Sequence, residues 1–261
     1  MSDPGLLRGQ LPRDLKESIG DAPCEEVLTG WSGVRVYRIP GCGCLKVASD
    51  HLALRPERDR LTWLRRRLPV PELLYYTETG ARQWMLVSEI VGLPSFHEAL
   101  SGHVERVVTL LAEGLKTIHR LDITGCPFDQ RLDSLLEAAR HNMVQGRVDE
   151  DEFDPQRRGR PVEELYGELL AKRPTKETPI FTHGDYCLHN VLIDPKRLVI
   201  TGFVDWGGAG LSDPYHDLAL AARSITFDLG AQWVGPFFEA YGITEIDRAK
   251  VDYYQLVDEF F

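Results

Sequence analysis

The chain has 261 residues, 43% hydrophobic and 27% charged, the proportions of a soluble globular protein long enough for one large core or two packed lobes. A formal net charge of −10 argues against a nucleic-acid partner, because binding phosphates needs a basic face. No apolar run approaches membrane-spanning length, Met1 to Leu11 lack an export-signal pattern, and the five cysteines are odd in number and scattered. The expectation is therefore a cytoplasmic protein with no membrane partner and no disulfide framework, its oligomeric state open between a monomer and a weak dimer.

Taken in chain order, the runs Glu26-Val27-Leu28, Val34 to Ile39 and Cys44 to Val47, separated by glycines, predict an antiparallel meander, with Lys46 near the end of its third strand. A helix is predicted from about Pro56 to Leu68, since Pro is tolerated in a first turn and Pro69 stops the helix. Leu73 to Tyr76 and Gln83 to Val87 predict two further strands. Beyond Pro94 the period changes. Val104, Val107, Val108, Leu111, Leu115 and Ile118 form one helical stripe, and Leu132, Leu135, Leu136, Ala139 and Met143 another. Val162 to Leu170 and the segments after Asp213, Ala231 and Asp247 also read as helices. The basic clusters Arg65-Arg66-Arg67 and Arg157-Arg158-Gly159-Arg160 read as a solvated helix end and a solvated loop.

Val191 to Ile193 and Leu198 to Ile200, joined by Asp194-Pro195-Lys196-Arg197, predict a hairpin, with a third run, Gly202-Phe203-Val204, leading into Asp205. Just ahead of it stands His183-Gly184-Asp185-Tyr186-Cys187-Leu188-His189-Asn190. Phosphoryl transfer needs an Asp to orient the attacking hydroxyl and take its proton, and oxygen donors to hold Mg²⁺ on the nucleotide phosphates. Asp185 suits the first task, and Asn190 with Asp205 the second. Isolated, each Asp could simply cap a turn; the constellation favours catalysis.

These residues resemble the aminoglycoside phosphotransferase family, most closely its 3′-phosphotransferases, with Gly184 where protein kinases carry Arg. Asp213-Pro214-Tyr215-His216-Asp217-Leu218-Ala219, Cys126-Pro127-Phe128-Asp129 and the final Tyr254 to Phe261 extend the resemblance over nearly the whole chain. It implies an α+β, two-lobed protein-kinase-like fold, with a small antiparallel β-sheet N-lobe over 1–90 and a mostly α-helical C-lobe over 91–261. It also implies ATP as the nucleotide, with GTP as the alternative, and Mg²⁺. Lys46 would neutralise the phosphates, positioned by Glu57, and Ser32 in Gly30-Trp31-Ser32-Gly33 would cap the β-phosphate. Ser88 and Val91 would belong to the adenine-binding hinge, and Asp217 would brace the catalytic loop.

The implied acceptor is a polycationic aminoglycoside, which needs a carboxylate-lined pocket. The candidates are Asp149, Glu150 and Asp151 in one acidic loop, Asp228, and Asp258 and Glu259 beside the terminal carboxylate of Phe261. The resemblance thus implies transfer of the ATP γ-phosphoryl to a 3′-hydroxyl of kanamycin- or neomycin-type antibiotics, conferring resistance. The alternatives are a small-molecule kinase of the same fold with another hydroxyl acceptor, and a non-catalytic nucleotide-binding regulator. Having Lys46, Asp185, Asn190 and Asp205 together argues against the regulator.

Overall fold

Five strands, Glu25–Val27 (β1), Arg35–Ile39 (β2), Gly43–Ser49 (β3), Leu73–Thr79 (β4) and Arg82–Val87 (β5), form an antiparallel sheet in the order β1-β2-β3-β5-β4. The computed structural model describes residues 9–27, 34–49 and 54–261. Two units emerge. One comprises the described residues up to Val91 together with Thr201–Gly207; the other comprises Gly92–Ile200 and Gly208–Phe261.

In the first unit, alternation along β3 sends Leu45 and Val47 to one face, where they pack with Tyr37, Ile39, Trp84 and Leu86. That face is covered by Leu11 and, through Leu15 and Ile19, by a further helix that the sequence pattern does not predict, Arg13–Ile19 (α1). Lys46 points the other way and pairs across the sheet with Val36 and Met85. It sits in the middle of β3, not near its end, because Ala48 and Ser49 continue the pairing to Gln83 and Arg82. The next helix, Leu54–Leu64 (α2), is shorter than expected. It buries Leu54, Glu57, Arg60, Leu61 and Leu64 along one stripe, so Glu57 lies on its inward face. Gly43 opens β3 at φ 136°, where a Cβ would stand 2.0 Å from the Val87 carbonyl oxygen, so this crossing of β3 and β5 requires glycine.

The second unit is mostly helical, and the α+β expectation holds. Its helices are Val104–His119 (α3), Leu132–Val144 (α4), Val162–Ala171 (α5), Tyr215–Asp228 (α6), Val234–Tyr241 (α7) and Arg248–Asp258 (α8). The apolar stripes of α4, α5 and α8 meet Phe153 and Phe260 in one buried cluster. Ile180–Thr182 (β7) pairs antiparallel with Gly210–Ser212 (β10). Leu93–Pro94 (β6) and Val191–Asp194 (β8) pair antiparallel, and Val199–Phe203 (β9) carries the chain from the second unit back into the first. The run Gly202-Phe203-Val204 is not a separate strand, since β9 continues through Phe203. All five cysteines are free, and no helix among the described residues is long and apolar enough to cross a membrane.

Candidate active site

Two groups of candidate residues assemble, one in each unit. In the first unit Lys46 Nζ donates to both carboxylate oxygens of Glu57, at 2.8 and 2.9 Å, and also to Asp205 Oδ1. The Trp206 backbone N–H donates to the Glu57 carboxylate, which fastens the turn after β9 to α2. Burial alone would push the Lys46 ammonium down, but Glu57 and Asp205 hold it above its ordinary range, so it is charged at neutral pH. Burial raises the Glu57 carboxyl in turn, against the pull of Lys46. Asp205 adopts φ 63°, a left-handed conformation uncommon for a side chain-bearing residue, and its side chain is 57% exposed.

In the second unit the catalytic-loop segment runs from β7 to β8 and is anchored from three sides. The buried Asp217 carboxylate accepts from the backbone N–H groups of His183 at 2.7 Å and Gly184 at 2.8 Å, and from His119 Nε2 at 2.9 Å. Burial alone would raise the Asp217 carboxyl, yet His119 and the neighbouring imidazoles hold it below the ordinary range. Ser224 Oγ accepts from Leu188 N at 3.0 Å and donates to Asp228 at 3.0 Å. Ser95 N donates to the carbonyls of Leu188 and Val191, each at 3.0 Å. Asp185, at the exposed crest, receives Asn190 Nδ2 on its Oδ2 at 2.8 Å and on its backbone carbonyl at 2.9 Å.

Gly184 explains its own departure from Arg. Its φ is 82°, and a Cβ there would lie 2.1 Å from the Gly208 carbonyl oxygen. His183 Nδ1 accepts from Asp185 N at 3.3 Å, a bond within the loop.

Asn190 and Asp205 offer an amide oxygen and a carboxylate, hard donors of the kind Mg²⁺ takes. The two Asn190 Nδ2 hydrogen bonds to Asp185 leave the amide oxygen as the acceptor end. Among the described residues no group of three or more His, Cys, Asp or Glu could hold an ion unaided. Mg²⁺ at a nucleotide needs no such cage, because phosphate and water supply most of its ligands. The residues fit.

The remaining candidates distribute unevenly. Ser32 lies outside the described residues. Ser88 N donates to the Glu72 carbonyl and its hydroxyl accepts from the Glu72 N–H, both at 2.8 Å; Val91 is 82% exposed. Asp149 caps the turn Glu150–Glu152 by accepting from Asp151 N at 3.1 Å, and Asp151 is exposed. Glu150 is exposed and accepts from Val162 N at 3.1 Å, at the start of α5. Asp228 is tied to Ser224, and Asp258 is paired with Arg223. The Glu259 side chain is 3% exposed and held by Asp154 N and Arg157, while Phe260 is buried and Phe261 exposed. Nothing in the sequence singles out Ser95, His119, Ser224 or Arg223, and Arg157, read as part of a solvated loop, is buried. Their roles arise from tertiary partners up to 122 positions away, as in His119 with Tyr241.

A family model described as a phosphotransferase enzyme family matches residues 24–254. An aminoglycoside 3′-phosphotransferase of Niallia circulans is 37% identical over 257 residues, covering 96% of this chain and 97% of that protein. Another from Streptomyces ribosidificus is 38% identical over 246 residues, covering 89% and 93%. Among solved structures, an aminoglycoside-3′-phosphotransferase of type VIII superposes with a TM-score of 0.84 at 30% identity, covering 98% of this chain and 97% of that one. The aminoglycoside phosphotransferase APH(3″)-Id from Streptomyces rimosus, in complex with ADP and streptomycin, gives 0.78 at 29% identity, covering 94% and 95%.

Proposed function

Since the chain belongs to the phosphotransferase enzyme family, we propose that it is an aminoglycoside 3′-phosphotransferase. It transfers the γ-phosphoryl of ATP to the 3′-hydroxyl of kanamycin- or neomycin-type antibiotics and so confers resistance in the cytoplasm, where ATP is available. Asp185 carries the chemistry. Its carboxylate is exposed while Asn190 and the Asp217-held backbone fix its position, which suits a group that orients the acceptor hydroxyl and takes its proton. The hydroxyl oxygen forms its bond to the γ-phosphorus as the bond to the β-phosphate oxygen breaks, releasing ADP.

Lys46, held by Glu57, places a fixed ammonium on the nucleotide phosphates, and Ser32 caps them. Asn190 and Asp205 would hold Mg²⁺, which when bound neutralises phosphate charge. Ser88 and Val91 belong to the hinge that meets the adenine of ATP, Val91 adding apolar cover. Asp149, Asp151, Asp258 and Phe261 contact the acceptor, the carboxylates receiving its ammonium groups. Glu150, Asp228 and Glu259 support that surface through their own hydrogen bonds to Val162, Ser224 and Asp154.

Mg²⁺-dependent ADP release, measured with kanamycin, the 3′-deoxy drug tobramycin and streptomycin, tests the reading. Kanamycin alone should stimulate release. Stimulation by streptomycin instead would move the activity toward that of the Streptomyces rimosus neighbour.

A further inference from the structure

Arg157 was expected on a solvated loop, yet its side chain is 3% exposed. Its Nη1 donates to Asp154 Oδ2 and Glu259 Oε1, each at 3.2 Å, and its Nη2 to the Asp252 carbonyl at 3.0 Å and Asp252 Oδ1 at 2.7 Å. The Asp154 N–H closes the ring onto the Glu259 carboxylate at 3.1 Å. One guanidinium therefore joins the end of the acidic loop, the middle of α8 and the C-terminal residues. A second, Arg223 of α6, pairs with Asp258 and stands 3.6 Å from Asp154. Lys172 lies 3.6 Å from Asp252. Asp154, Asp252, Asp258 and Glu259 thus gather around Arg157 and Arg223, with Lys172 at the edge.

A buried guanidinium is costly unless its planar donors are matched, and these are met by two separate segments, the loop at Asp154 and the α8 stretch from Asp252 to Glu259. An apolar side chain could fill the same space without fixing where the carboxylates point. We propose that Arg157 is a positioning residue for the acceptor: by tying Asp154 to Asp252 and Glu259, it joins the acidic loop to the C-terminus as one preorganised anionic wall. The inference rests on the acceptor class proposed above. Preorganisation lowers the ordering cost that a flexible polycation and a flexible loop would otherwise both bear on binding. Burial and the Asp154 charge push the Glu259 carboxyl up to about 7 even with Arg157 beside it, and Asp252, Asp258 and Arg223 surround the same cluster. Without Arg157, Glu259 would hold its proton to higher pH.

Two readouts on Arg157→Lys and Arg157→Gln test this. Hydrogen–deuterium exchange of the substrate-free enzyme reports the tie without reference to any acceptor. Steady-state kinetics report its use. Exchange should rise locally at 149–160 and 258–261. The KM for kanamycin should rise roughly tenfold, the size expected for losing one coupling within a network, and its pH profile should move upward, while the KM for ATP holds. Arg157→Lys should fall between wild type and Arg157→Gln. Unchanged local exchange in a folded Arg157→Gln enzyme overturns the proposal, as does a uniform rise in exchange with kcat and both KM values changing together. A local rise in exchange without turnover of any aminoglycoside by the wild type refutes the acceptor reading, and the positioning role with it.

Discussion

Gly184 and Gly208 lie back to back, so close that a Cβ on Gly184 would stand 2.1 Å from the Gly208 carbonyl oxygen, whereas one on Gly208 would meet the Gly184 oxygen at 3.2 Å. The asymmetry makes the two glycines unequal. Gly184→Ala combines a backbone collision with a φ of 82° and should cost roughly 2–4 kcal/mol, displacing Asp185 as it does so. Gly208→Ala needs only a few tenths of an ångström of adjustment and should be far milder. Thermal unfolding and kcat of the two variants check the contrast.

Lys46 and Glu57 form a buried ion pair, with side chains 12% and 8% exposed. Glu57→Ala leaves the ammonium with Asp205 alone, and losing one partner of such a pair costs about 3 kcal/mol. A lower unfolding midpoint and a higher KM for ATP are expected. The KM for the acceptor should move less, which initial-rate kinetics at varied ATP and kanamycin would show.

Glu259 makes stability fall with rising pH. Its carboxyl is pushed up to about 7 from an ordinary 4.5 by burial and by Asp154, so between these values the folded chain binds more protons than the unfolded one. Stability from this group is therefore greatest below pH 4.5 and declines as pH rises toward 7, by up to roughly 3 kcal/mol over the window. Chemical denaturation at pH 5 and pH 7.5 should show the decline in the wild type and a smaller one in Glu259→Gln. Equal pH dependence in both proteins would exclude the assignment.

Much of this was legible because it is local. The stripe of α3 and the runs that became β2, β3 and β5 are periodic in the sequence, and Asp185 and Asn190 sit five positions apart on one turn. What escaped depends on distant partners. Leu11, Leu15 and Ile19 do recur every four residues, but Pro12 and the charged residues around them hid a helix of only seven residues. Arg157 looked like any loop arginine, since Asp252 and Glu259 reach it from 95 and 102 positions away. Lys46 was placed near a strand end because Ala48 and Ser49 carry little β signal by themselves; cross-strand pairing with Gln83 and Arg82 extends the strand past them.

The most direct test is the phosphorylated product itself. Wild-type enzyme with Mg²⁺, ATP and kanamycin should yield kanamycin 3′-phosphate and ADP in equal amounts, seen by ³¹P NMR. Asp185→Asn, which keeps an oxygen for Asn190, should lose turnover by about 10²–10⁴-fold while ATP binding persists. Wild-type turnover by Asp185→Asn, or phosphorylation of tobramycin at the kanamycin rate, would contradict the account.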